Sequence, residues 1–300
     1  MSNPKLLLFL ALGVVGLVYL VSWGRALRAG RAAGNGAAPP SPLEVGIGFI
    51  TNFFDTLGIG SYAPTTALFR FFKLVPDEKI PGTLTLGHTL PTIVESFIFI
   101  AVVQVDFLTL TSLIAASIVG AWLGAGVVAK WPKRNIQIGM GLALVAAATL
   151  FLLANLGIGA AGGTATGLNG ARLLLGLIGN FVLGALMTLG IGLYGPCLIM
   201  ISLLGMEPRA AFPIMMASCA FLMPVAGVKF SKKQAYQARP ALGLALGGIP
   251  GVLIAALIVK SMSLVAVRWL VIVVVLYTAA GLLRSAFSPT PAPRAGEPIS

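Results

Sequence analysis

Charge is what this sequence has least of. Only 9% of its 300 residues are Asp, Glu, Lys or Arg, while 58% are apolar and mean hydropathy is +0.99. Soluble domains carry about 25% charged residues, so a soluble enzyme or binding module is excluded. Cysteine is nearly absent as well: Cys197 and Cys219 lie in apolar segments without CxxC spacing, which leaves no disulfide framework or thiolate metal site. Walker A, HExxH and GxSxG strings are missing, so neither ATP hydrolysis nor these enzyme chemistries is expected, and no cofactor is implied. Alternating apolar segments of about 10 residues, the mark of a membrane β-barrel, are also lacking.

What is present is a series of continuous apolar runs of about 20 residues, enough for helices to cross a bilayer. The chain therefore reads as an all-α polytopic membrane protein. A net charge of +12 and a pI near 10.2 could suggest nucleic acid. The basic residues sit in short loops, however, where membrane orientation explains them, so the expected partner is the lipid bilayer and not nucleic acid. A homo-oligomer is left open.

Residues 1–42 read as an N-terminal span, 6–23, followed by a flexible Ala/Gly/Pro/Arg linker, 24–42. Arg25, Arg28 and Arg31 follow the span, which suits a retained helix and not a cleaved signal peptide. Residues 43–156 and 172–285 form two halves joined by a Gly-rich linker, 157–171, and residues 286–300 form a Pro-rich tail expected to be disordered.

The halves are tied together by one string. Thr56-Leu-Gly-Ile-Gly-Ser-Tyr-Ala-Pro64 returns as Thr188-Leu-Gly-Ile-Gly-Leu-Tyr-Gly-Pro196, with seven of nine positions identical at an offset of 132. Pro76 and Pro208, and Pro81 and Pro213, hold the same offset, which indicates duplication. Gly/Pro-interrupted apolar segments at matching places in two halves point to a transporter's binding site. Packing glycines beside a proline kink are the structural alternative.

Charge counting chooses between crossing and re-entrant segments. If both strings cross the membrane, the twenty Lys and Arg divide ten and ten. If both dip in and return, fifteen gather on one side and five, namely Lys5, Arg172, Arg209, Lys260 and Arg268, on the other. The excess belongs in the cytoplasm, so the expected architecture is two inverted repeats. Each is a re-entrant hairpin plus three spans (81–102, 107–129, 135–156; then 212–229, 239–260, 264–285), with one extra N-terminal span. The protein is expected in the inner membrane, multi-pass, with its Lys/Arg-rich loops cytoplasmic.

At each tip, Pro64 and Pro196 are expected to start the returning half-helix, because proline suits the first helical position. Gly58, Gly60, Gly190 and Gly192 let the backbone turn and let a ligand approach. Free N–H groups at a helix start favour an anion, and Ser61, Tyr62, Thr65, Thr66, Thr188 and Tyr194 could add donors. A Gly-rich string closed by proline, repeated in two halves of a chain with about eight apolar segments, resembles the TauE/SafE sulfite-exporter family over residues 43–285. The family's usual string is richer in glycine, with Ser61 and Leu193 standing in its place here. The resemblance implies a permease for small sulfur-containing anions such as sulfite or organosulfonates.

Polar residues inside the apolar runs add candidates. Thr85, His88, Thr92 and Glu95 fall on one helical face, while the matching second-half positions are Ala217, Ala220, Pro224 and Gly227. His88, which titrates near neutral pH, and Glu95 are proton-coupling candidates, or a polar pair fixing packing around Pro91. Asp55 is a further proton-coupling candidate: it would repel an anion unless protonated, paired or at the cytoplasmic mouth, and it could instead cap the tip or bind a coupling cation; Asn52 shares that question. A cation transporter using Asp55 and Glu95, and a sulfur relay through Cys197, remain alternatives. Cys197 is otherwise a small core residue. Gly120 and Gly124, and Gly243, Gly247 and Gly251, have the spacing of close helix contacts.

Overall fold

The computed structural model describes residues 4–32, 38–128, 133–156, 163–187 and 192–287. Their secondary structure is helical, with short 3-10 turns at Asp77–Lys79 and Pro208–Ala210 and one isolated bridge between Ala165 and Met206. Eleven helices follow in order: α1 (Pro4–Ala32), α2 (Pro42–Thr56), α3 (Tyr62–Phe71), α4 (Ile80–Val102), α5 (Phe107–Val128), α6 (Lys133–Asn155), α7 (Gly170–Met187), α8 (Tyr194–Leu203), α9 (Ala211–Lys232), α10 (Ala238–Ser261) and α11 (Leu264–Phe287). Among the described residues six helical stretches are long and apolar enough to cross a membrane. They fall in α1, α4, α7, α9 with the turn before it, α10 and α11. The protein is an all-α, multi-pass membrane protein.

The helix α1 continues to Ala32, into the stretch expected as linker. Ala, Leu and Arg are strong helix formers, and Gly24 and Gly30 do not outweigh them. The tail expected to be disordered lies, from residue 288 onward, outside the described residues.

Helices α2 and α7 each stop at the duplicated string, and short α3 and α8 start within it. Tyr62 and Tyr194, not Pro64 and Pro196, take the first helical position; the prolines stand two residues further in. That place is still within the first turn, whose N–H groups have no intrahelical acceptor, so a proline there forfeits no bond. The offset of 132 extends to backbone bonds. Thr65 N–H donates to Ser61 O as Cys197 N–H does to Leu193 O, and Leu74 N–H donates to Phe69 O as Met206 N–H does to Ile201 O. Lys73 and Gly205 end α3 and α8 with φ of +52° and +91°, the left-handed residue that closes a helix.

Contacts sort the helix ends into two groups. At one end Trp23 of α1 clusters with Tyr236 between α9 and α10, Glu44 of α2 pairs with Arg239 of α10 at 3.1 Å, and Gly82 of α4 abuts the Ala235 carbonyl. At the other end Lys5 donates to Ile100 O, Asp106 N–H to Thr166 O ahead of α7, and Arg209 to Met262 O after α10. So α2 sets out from the first end and α7 from the second. Both come back: Phe69 of α3 packs with Ile47 of α2 and Ile80 of α4, and Glu207 beyond α8 donates its N–H to Ala165 O before α7.

Each first half-helix packs on the other half of the chain, α2 on α10 and α7 on α5. Glycine makes these crossings possible. A Cβ on Gly247 would stand 1.9 Å from Val45 O, and one on Gly120 would stand 1.9 Å from Phe181 O. Gly243 and Gly251 meet Glu44 and Phe49 in the same way. Backbones this close gain dispersion contacts along their length. Overpacking a tight site costs about 1–3 kcal/mol or more. Gly247→Val and Gly120→Val are therefore expected to lower the melting temperature in detergent by several degrees. Gly46→Ala, where a Cβ meets nothing within 4 Å, leaves it unchanged, and equal melting of all three variants would contradict the crossings.

Candidate functional site

The buried polar side chains concentrate along α4. Its Thr85, His88, Thr92 and Glu95 are all buried, and three of them bind the α2–α3 hairpin. Tyr62 OH donates to Thr85 Oγ1 at 3.3 Å. His88 is held from both limbs, with Nδ1 2.9 Å from Asn52 Oδ1 of α2 and Nε2 3.1 Å from Thr65 Oγ1 of α3. The Asn52 amide is oriented by its own bond from Nδ2 to Gly48 O at 2.7 Å. Its oxygen therefore faces the ring, which places a His88 proton on Nδ1, while Thr65 Oγ1 lies 2.7 Å from Ser61 O as well as 3.1 Å from Nε2, with one proton for the two. Because α2 and α3 reach the same residue of α4, the chain reverses between them.

Glu95 stands two turns further along α4. Thr56, at the end of α2, lies 2.7 Å from Oε1, and Tyr194, at the start of α8, donates to Oε2 at 3.1 Å. One carboxyl thus joins the tips of both chain reversals. At 1.5 Å per residue it lies about 22 Å along α4 from Ile80, deep in the protein. Asp55 is buried nearby and accepts from Ser61 Oγ at 3.1 Å. Neither carboxyl forms an ion pair among the described residues.

The tip glycines differ in character. Gly58 and Gly60 have φ of +95° and +87°, which an L side chain resists. A Cβ on Gly58 would meet Leu198 of α8 at 3.0 Å, so the first tip rests on the second half of the chain. A Cβ on Gly192 would meet nothing within 4 Å, and the residue is exposed. Pro64 is half-buried and Pro196 buried, each in the first turn of its short helix. Thr188 and Gly190 lie outside the described residues.

The sulfur groups are buried among neutral partners. Cys197 Sγ lies 3.9 Å from Asn180 Oδ1, and Asn180 Nδ2 donates to Leu113 O at 2.7 Å, which pins α7 to α5. Cys219 of α9 contacts Met187 Sδ at 3.6 Å, at the edge of the second tip. No group of three His, Cys, Asp or Glu suited to a metal ion occurs among the described residues.

Thr56 and Asn180 were not singled out from the sequence. Thr56 opens the duplicated string and stands four residues after Asn52, on the same face of α2, a readable signal. Asn180 has no such pattern; only the fold brings it to Cys197. No protein-family model, curated protein or solved structure matches this chain.

Removing the imidazole strands the Asn52 oxygen, while Thr65 keeps its bond to Ser61 O, and an unsatisfied buried group costs about 1–3 kcal/mol. His88→Ala is expected to lower the melting temperature clearly. His88→Ala combined with Asn52→Leu should recover part of that loss, because both partners are then apolar. A double variant less stable than the sum of its single variants would contradict the clamp.

Proposed function

We propose that this chain is a secondary transporter for a small anion, held between the starts of α3 and α8 and moved together with a proton carried by Glu95 and Asp55. The observation that carries this reading is the Glu95 carboxyl bonded at once by Thr56 from one tip and Tyr194 from the other. The two hairpins, starting from opposite ends of the molecule, are read as the re-entrant elements of two inverted repeats, with the site at their meeting point. The anion's chemistry rests on the resemblance to sulfite exporters, which favours sulfite or a sulfonate. The ten helices from α2 to α11 would constitute the two repeats and α1 the extra span.

The coupling follows from electrostatics. The first N–H groups of α3 and α8 attract an anion, whereas ionised carboxylates beside them repel it. Protonating the carboxyls removes the repulsion, so proton and anion each favour the other's binding. The hydrogen-bond inventory agrees. Thr56 Oγ1 is 2.8 Å from Asn52 O as well as 2.7 Å from Glu95 Oε1, yet it has one proton. When that proton goes to the Asn52 carbonyl, which can only accept, the Glu95 contact is completed by a proton on the carboxyl. With both ring nitrogens engaged, His88 serves in this account as the clamp between hairpin and α4.

A second reading, a cation transporter, is favoured by the lack, among the described residues, of a cation ion-paired with Asp55 or Glu95. It predicts flux of a monovalent cation with no transportable anion present, lost in Asp55→Asn and Glu95→Gln.

Proteoliposomes test the leading reading. A sulfonate, which stays ionised across the working pH range, isolates the protein's own protons. An acid-outside gradient is expected to drive sulfonate or sulfite uptake. Glu95→Gln should reduce gradient-driven accumulation by about tenfold, an energy of about 1.4 kcal/mol, while anion exchange without a gradient persists. Gly192→Phe should fold normally and block both. Uptake of an anion in Glu95→Gln with undiminished gradient dependence would contradict proton coupling.

A further inference from the structure

Away from the paired tips, a cleft of about 350 Å³ opens between the C-terminal part of α1 and the end of α9. Ser22, Arg25, Ser231, Lys232 and Gln234 supply its polar lining, with two cations and no carboxylate. Neither Arg25 nor Lys232 forms an ion pair among the described residues. The buried aromatic cluster of Tyr19, Trp23 and Tyr236 lies alongside, and tyrosine and tryptophan are enriched at membrane–water boundaries.

Exposed apolar residues follow on the same faces of both helices, away from the basic end. Val14, Val18, Ser22 and Arg25 are spaced four, four and three residues apart and so share one face of α1, and Val14 and Val18 are 61% and 56% exposed. On α9, Val225, Val228 and Lys232 follow at three and four, with Val228 in the cleft wall and Val225 60% exposed. Both helices thus pass from exposed valine to a cation toward the same end. Two cations with hydroxyl and amide donors above an exposed apolar track match one chemical class, an amphiphile with an anionic head. A basic pocket between membrane helices is the recognised form of such a site.

We propose that this cleft binds an anionic phospholipid, with the phosphate between Arg25 and Lys232 and an acyl chain lying between Val14 and Val18 of α1 and Val225 of α9. Helix α1 has no counterpart in the duplicated part of the chain. It packs on α4 and α9, and a lipid wedged in this cleft joins it to α9 at the basic end.

The test is lipid retention and thermal stability of the purified full chain. Native mass spectrometry is run after incubation with phosphatidylglycerol, phosphatidylcholine or inorganic phosphate, alongside melting curves. Phosphatidylglycerol is expected to be retained and to raise the melting temperature, with phosphatidylcholine and inorganic phosphate doing neither. The Arg25→Gln/Lys232→Gln variant should lose at least tenfold in retention. Arg28→Gln, which removes an exposed arginine outside the cleft lining, should keep it, and so should Arg25→Lys/Lys232→Arg. Equal retention of phosphatidylcholine, undiminished retention in the double Gln variant, an equal loss in Arg28→Gln, or full stabilisation by inorganic phosphate would each overturn the proposal. The last would indicate a site for small anions.

Discussion

A carboxyl group buried in an apolar protein is costly unless something compensates it. Glu95 is compensated by neutral hydroxyls from two distant parts of the chain, Thr56 and Tyr194. That requirement sets the rest of the core. For both hydroxyls to arrive, two helices must stop at the same depth, and the chain must turn twice where water is scarce. Backbone at such a turn has to be enclosed by protein. The glycines allow the first turn its left-handed residues, the short helices α3 and α8 satisfy the returning backbone, and α4 offers the polar face on which the first hairpin sits.

Enclosure in turn requires close packing from the opposite half. The helix α2 lies against α10 and α7 against α5, and glycine stands at the crossings because carbonyl oxygens occupy the space a Cβ would take. Each hairpin is thus braced by the other half of the molecule, and the first also sits on α4 of its own half. This exchange supports reading the chain as one transporter unit with the site at its centre.

Much of this order was legible in the residues. Low charge and long apolar runs indicate the helical membrane class, and the matched strings locate both chain breaks. The three- and four-residue spacing of Thr85, His88, Thr92 and Glu95 marks one face of α4. Their partners were less accessible, because a hydrogen bond between Glu95 and Tyr194 spans 99 residues and depends on how the halves interlock. The prolines were displaced from the expected first position because tyrosine starts each short helix. Helix α1 outran its apolar segment because helix propensity continues through Arg25 and Arg28 where hydropathy does not. The identity of the anion is written in no spacing, since helix starts bind anions through backbone groups common to all sequences.

The central claim is that the two hairpins enter from opposite faces, and the loops that follow α3 and α8 report it directly. Single cysteines at Lys73 and at Glu207, in a background with Cys197 and Cys219 replaced, would be exposed to a membrane-impermeant thiol reagent from one side of the membrane. The account predicts labelling of one position from each side. Labelling of both positions from the same side would mean that the two segments cross the membrane, and the paired-tip site would not exist.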